Sequence, residues 1–199
     1  MRGINRLLGV LLMCFSTLNW AADSAVPMLE GAANQIITTL KANQSKLKDD
    51  HSIIEHAVRQ YLLPHVDVVG MSRSVLGRNA WNSATPAERQ EFTSVFTDLV
   101  IRTYAAPLAE YSGETITFSS QQSVDGKFAR VNSMIKRNNG QTIPLSYALV
   151  AKSGNWKVYD LSVEGVSLLQ SFRNQFGQVL QNSDMKALIS QMKQRKVAA

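Results

Sequence analysis

Cysteine is almost missing from this chain: Cys14 is the only one in 199 residues, and it lies in an apolar run close to the start. Once that run is removed on export, no thiol remains, which excludes disulfides, thiolate metal sites and thiol catalysis together. Stability must then come from burial. Long apolar stretches are lacking as well: Leu7 to Leu18 is the longest, and about a dozen residues fall short of the roughly 20 that a helix needs to cross a bilayer. Catalytic motifs are also absent. No serine sits in a G-x-S-x-G elbow, no H-E-x-x-H occurs, and no glycine-rich phosphate loop is present. His51 and His56 are five apart and His65 lies beyond them, so they lack the i, i+4 spacing of a metal pair on one helix face and read as surface histidines.

Charge is modest. The formal net charge of +6 falls to +4 without Arg2 and Arg6, and the bases are dispersed except for Lys193, Arg195 and Lys196 at the tail. Because they are not interleaved with aromatics, nucleic acid is not an expected partner. Weak attraction to anionic membranes or acidic partners is the use this balance suits.

Residues 1–22 have the layout of a secretory signal, with Arg2 and Arg6 ahead of the apolar run. Cleavage is expected near Ala21 or Ala22, although Asn19 or Trp20 then occupies a position that favours small residues. Cys14 follows Met13 rather than a small residue, which argues against lipoprotein processing. Residues 23–199 are expected to form a single domain, and about 177 residues suffice to bury roughly 70% of the surface of the unfolded chain.

Helical periodicity comes first along that domain. Pro27 suits a first turn, and Leu29, Ala32, Ile36, Ile37 and Leu40 recur on one face up to Ala42 or Leu47. Asp50 can cap a second helix, with Ile53, Ile54, Ala57, Val58, Tyr61 and Leu62 inward, ended by Pro64. A third helical piece runs from Asp67 to Gly77, leaving Trp81 in a loop. Thr85-Pro86-Ala87-Glu88 is a capping box. It opens a long helix whose stripe of Phe92, Val95, Phe96, Leu99, Val100, Thr103 and Tyr104 is expected to lie across a sheet, with Pro107 bending or ending it.

From Gly113 the period turns to two. Strands are expected at Glu114–Ser119, Lys127–Arg137, Gln141–Lys152 and Trp156–Val163, separated by Asp125-Gly126, Asn138-Asn139-Gly140 and Ser153-Gly154. After Gly165 the period becomes three and four again, so Val166, Leu169, Phe172 and Phe176 predict a helix from Val166 to Leu180. A last helix follows Asp184. The result is an α+β fold with a four-stranded antiparallel curved sheet and helices covering one face. Its apolar stripes, with Ile143, Leu145, Tyr147 and Leu149 opposite Phe96, Val100 and Tyr104, read either as plain core or as the lining of a cavity. Asp160 beside Tyr159 is the best candidate for an acid or base, against a structural reading as a hydrogen-bond acceptor. Adjacent strand residues point to opposite faces, so the two can share a site only across a bulge.

The run from Trp156 to Ser167, W-K-V-Y-D-x-x-V-E-G-V-S, with the F-R-x-Q-F helix after it, resembles the MlaC (toluene-tolerance) family of periplasmic phospholipid-binding proteins. Leu62-Leu63-Pro64-His65-Val66-Asp67, Val75-Leu76-Gly77, Ser83 to Arg89, Thr103-Tyr104 and Ile143-Pro144-Leu145 with Tyr147 stand in the family's order, His65 being a departure from it. The resemblance implies a nuclear-transport-factor-2-like fold enclosing an apolar pocket for phospholipid acyl chains, with Leu76, Phe96, Val100, Tyr104, Leu145, Tyr147, Val166 and Leu169 lining it. It implies a non-catalytic monomer in the periplasm, without a cofactor, whose cargo is a glycerophospholipid. Its partners would be an inner-membrane ABC transporter with a lipid-binding ring and an outer-membrane lipoprotein complex, in a system maintaining outer-membrane lipid asymmetry. An isomerase-like enzyme using Asp160 and an envelope scaffold with a filled core are the alternatives.

Overall fold

The computed structural model describes residues 24–194; the signal segment expected at 1–22 and the tail bases Arg195 and Lys196 lie outside them. Helix α1 (Val26–Ala42) starts with Pro27 in its first turn, where a missing N–H costs nothing. Its start is tied to the sheet by Ala25, whose N–H donates to the Gln122 side chain at 2.7 Å. A 3-10 turn (Gln44–Lys46) follows. Helix α2 (Ser52–Ala57) begins beside Asp50, which accepts from the Ser52 N–H. It widens into a π-helical turn at Val58–Leu62 and tightens into a 3-10 turn at Leu63–His65, where Pro64 supplies no donor to continue the ladder.

Asp67 caps α3 (Val68–Ser83) by accepting from the Gly70 N–H at 3.1 Å, and a Cβ on Gly70 would run into that carboxylate. Gly77, at φ 75° and ψ 167°, divides α3 into two pieces, a backbone conformation that is essentially reserved for glycine. The break falls where the sequence puts it, but Trp81 is not in a loop. The helix resumes to Ser83, and the Trp81 carbonyl accepts from Arg89 Nε at 2.7 Å while the Arg89 guanidinium lies over the indole ring.

Helix α4 (Pro86–Ala109) opens on the expected capping box, Thr85 and Glu88 satisfying each other's backbone N–H, and Pro107 sits inside its last turn. It does not lie across the sheet. Its neighbours are α2 (Ser52–Ala57), α3 and the closing helix α6 (Met185–Gln194), whereas the helices beside strands are α1, α3 and α5 (Leu168–Leu180). The reason is aromatic packing: Phe92 and Phe96 on α4 meet Phe172 and Phe176 on α5 edge to face at 5.2–5.9 Å, so the stripe expected to face strands is used between helices.

The sheet is antiparallel throughout, in the order β1 (Thr115–Asp125), β2 (Phe128–Lys136), β3 (Thr142–Lys152), β4 (Asn155–Val163) and β5 (Val166–Ser167). The α+β class and three of its hairpins are as expected, and there are five strands rather than four. Glu164 and Gly165, both at positive φ (51° and 82°), make a tight turn that folds Val166–Ser167 back onto Ser162–Val163. Helix α5 therefore starts at Leu168, not Val166, and is capped by Ser167, which accepts from the Gln170 N–H. Strand β1 runs beyond Ser119 because an irregularity between Phe118 and Gln122 lets pairing resume. The polar run Ser119 to Gln122 hides this continuation.

A second bulge falls in β4, where Ala148 faces Asp160 and Leu149 faces Val158, leaving Tyr159 unpaired between them. It puts Tyr159 and Asp160 on the same side of the strand. The free edge of β4 is closed by the segment before α3: Val66 bridges Val158, and the Asp67 N–H donates to the Val158 carbonyl.

Candidate functional site

Three apolar clusters make the interior. One joins α3 to α6 around Phe92, Phe96, Leu99, Phe172 and Phe176. A second lies between the inner sheet face (Val131, Leu145, Tyr147, Leu149) and the start of α1. The third gathers Leu40, Leu47, Ile54, Ala105, Ala109 and Tyr111 where α1, α2 and the end of α4 meet. Val66 and Leu161 touch the first two.

The eight residues expected to line a pocket divide among these clusters. Leu76, Phe96 and Leu169 are buried in the helical cluster, and Val100 is half-buried against it. Leu145 and Tyr147 belong to the sheet cluster. Tyr104 and Val166 are exposed, at 38% and 64%. The reading of Val166 as the head of an inward stripe is thus corrected: it belongs to β5, and the buried stripe of α5 begins only at Leu168 and Leu169.

Tyr104 is different in kind from Val166. Its phenol is reachable by solvent, yet burial raises its pKa above the usual 10. The ring is thus partly covered by its neighbours and partly open to solvent. Near this end of α4 the third cluster carries half-buried Ile36, Ile37, Ile53, Val58 and Leu108, an accessible aliphatic set. Helical periodicity shows Ile36 and Ile37 as an inner face but gives no sign that the face stays partly open. The Tyr111 hydroxyl is buried there without a hydrogen-bond partner, and burial, followed by the nearby Glu114 charge, raises its pKa.

On the sheet, Tyr147 is fixed. Its ring stacks on Phe118 at 5.8 Å, its hydroxyl lies 3.5 Å from the buried Ser133 hydroxyl, and burial raises its pKa against a smaller opposing effect of that contact. Asp160 is engaged too. Its carboxylate accepts from the Ser167 hydroxyl at 2.6 Å, the Leu161 N–H at 2.8 Å and the Leu169 N–H at 3.1 Å. It thereby joins β4 to the start of α5, satisfying donors that a helix leaves open. The bulge does bring Tyr159 to the same side, but the Tyr159 ring packs edge-on to Phe128 at 5.9 Å.

Two open grooves mark the helical surface. One of about 510 Å³ runs past Arg59, Leu63, Val69, Trp81, Arg89 and Asp98, and the other, of about 600 Å³, lies between α5 and α6. None of the eight expected residues lines either. Among the described residues no group of three or more His, Cys, Asp or Glu could hold a metal ion, and no helix is long and apolar enough to cross a membrane.

Residues 30–194 match the family model described as MlaC protein. The toluene tolerance protein ttg2D of Pseudomonas putida is 32% identical over 180 residues, 90% of this chain and 84% of that protein. The intermembrane phospholipid transport system binding protein MlaC of Haemophilus influenzae is 32% identical over 178 residues, 87% of this chain and 83% of its own length. Among solved structures, the phospholipid-binding protein from Ralstonia solanacearum in complex with a phospholipid superposes with a TM-score of 0.77 at 26% identity, covering 85% of this chain and 95% of that one.

Proposed function

This chain belongs to the MlaC family, and from that premise we propose that it is a periplasmic phospholipid carrier, exported by a signal at residues 1–22 and folded as one lipid-binding domain from residue 23. The observation that carries the reading is the partly open apolar set where α1, α2 and the end of α4 meet, with half-buried Ile36, Ile37, Ile53, Val58 and Leu108 and the partly exposed Tyr104 on the same helix as Leu108. Accessible aliphatic surface of that kind suits acyl chains, and the Ralstonia relative of similar fold is described in complex with a phospholipid. Tyr104 and Val100 are the residues we assign to direct acyl contact. Leu76, Phe96 and Leu169 in the helical cluster and Leu145 and Tyr147 in the sheet cluster are the further residues we assign to the lipid site.

Physics favours a carrier that works by docking. Two chains of about sixteen carbons gain roughly 25 kcal/mol on leaving water at ~0.8 kcal/mol per methylene, beyond the practical ceiling of about 20 for non-covalent affinity. Release into water is then negligible. Exchange with a bilayer or another lipid-binding protein is nearly neutral, because the chains pass from one apolar medium to another. The carrier accordingly needs no chemistry of its own and no cofactor. We assign it to shuttling glycerophospholipid between an outer-membrane lipoprotein complex and an inner-membrane ABC transporter with a lipid-binding ring. The three hydrogen bonds that Asp160 accepts weigh against an isomerase.

Native mass spectrometry of protein exported to the periplasm and purified without detergent tests the reading. The expected result is a mass increment of one phospholipid that organic extraction removes. Folded protein that is empty in every preparation would sink the proposal.

A further inference from the structure

Formal charge is distributed unevenly between the two layers. From Thr115 to Val163 the sheet segment carries six bases (Lys127, Arg130, Lys136, Arg137, Lys152 and Lys157) against Asp125 and Asp160. The remaining described residues hold eleven bases against twelve acids. The excess positive charge of the described residues therefore belongs to the sheet.

On β2 the pairing register puts two of these bases on the outward side. Ala129, Val131, Ser133 and Ile135 turn inward on β2, so Phe128, Arg130, Met134 and Lys136 turn outward, away from the α1 side. Arg130 and Lys136 are exposed, and so are Phe128 at 44% and Met134 at 39%. Among the described residues, Lys127, Arg130, Lys136 and Arg137 take part in no salt bridge, whereas Lys152 pairs with Asp67. Arg130 reaches only the Ser146 hydroxyl, and Lys127 lies over the Phe128 ring.

From this arrangement we propose that the exposed outward side of β2 docks the protein on membranes rich in anionic phospholipid. Arg130 and Lys136 stand six residues apart on one strand, about 20 Å at the usual rise. Spacing that wide along an exposed strand suits a laterally extended array of negative headgroups. Phe128 and Met134, protruding between the cations, can enter the headgroup boundary while the bases remain among the phosphates. An acidic protein would have to match those separate charges by fixed pairs. The inference depends on this surface alone and does not require lipid inside the protein.

Co-sedimentation of the purified exported protein with vesicles tests it, comparing pure phosphatidylcholine with phosphatidylcholine containing roughly one-third phosphatidylglycerol. Binding is expected on the anionic vesicles only and should disappear at about 0.5 M salt. Arg130→Glu with Lys136→Glu should weaken it by on the order of a hundredfold, and Arg130→Gln with Lys136→Gln less so. Lys46→Glu with Arg78→Glu, on the helical layer, should leave it unchanged. Melting curves for every variant identify any that fail to fold. Equal binding to both vesicle types, binding indifferent to the sheet substitutions, or no vesicle binding overturns the proposal. Sheet substitutions that abolish capture of an acidic envelope protein, when wild type never sediments with vesicles, would overturn it in favour of a protein partner. Lipid content measured on the same samples separates the two functional readings: empty protein that still binds anionic vesicles removes the carrier and leaves the docking face.

Discussion

The first and second halves of α4 make opposite use of the same apolar stripe. At Phe92, Phe96 and Leu99 the side chains are at most 2% exposed, and the two rings meet Phe172 and Phe176 of α5. One turn on, Val100 is half-buried and Tyr104 is 38% exposed, while the buried positions pass to Ile101, Ala105 and Ala109. Small residues at these last two positions let α1 and α2 approach this end of α4 closely. A stripe that looks continuous in sequence is thus core at one end and lining at the other. What differs is the helix packed against it.

The two halves should separate in mutagenesis, stability following the first and lipid content the second. Phe96→Ala should have the largest effect on folding, about 3–5 kcal/mol, since it removes a ring from a packed aromatic cluster and leaves a cavity; denaturant titration measures it. A loss below about 1 kcal/mol would mean that the aromatic end is as loose as the Tyr104 end. Asp160→Ala comes next at about 2 kcal/mol, because it strands the donors at the start of α5. A thermal melt and a lipid extraction on one sample check it, and near-normal lipid content is expected in the fraction that folds.

Tyr104→Glu reverses the pattern. At a position 38% exposed the carboxylate keeps its hydration once lipid is absent, so folding should change by less than about 1 kcal/mol. Acyl chains cannot share that space with a charge, and the protein should purify nearly empty. Full lipid content in folded Tyr104→Glu would place the lipid elsewhere. The smallest effect on stability belongs to Val166→Glu, within about 0.5 kcal/mol, because the side chain is already 64% exposed. A large fall in melting temperature would show that Val166 is packed after all.

Strong local signals were legible in the sequence. The Thr85 capping box, the break at Gly77 and the turns at Gly126, Gly140 and Gly154 all act within a few residues of chain, and each appears where it is expected. The fifth strand was hidden because its turn begins with Glu164 at positive φ, a conformation uncommon for a residue other than glycine. Tyr159 and Asp160 could share a side only through a bulge, and periodicity marks no bulge in advance. Of the residues expected in the pocket, those with strong apolar periodicity, such as Phe96, Leu145 and Leu169, were correctly read as interior. The exposure of Tyr104 has no counterpart in pattern, because an exposed side chain and a covered one have the same hydrophobicity.

Sequence by itself determined the class of elements, their order and most of their ends, since period, caps and turn residues are short-range properties of the chain. Family membership was legible on the same basis, from ordered motifs spread along the whole domain. Tertiary structure decided which apolar surfaces meet. It set α4 among helices instead of across the sheet, turned Val166 outward, engaged Asp160 at the head of α5 and left Arg130 and Lys136 exposed on the outward side of β2. These outcomes depend on which distant residues compete for the same contact. Only the packed chain resolves that competition, because apolar attraction has no direction of its own.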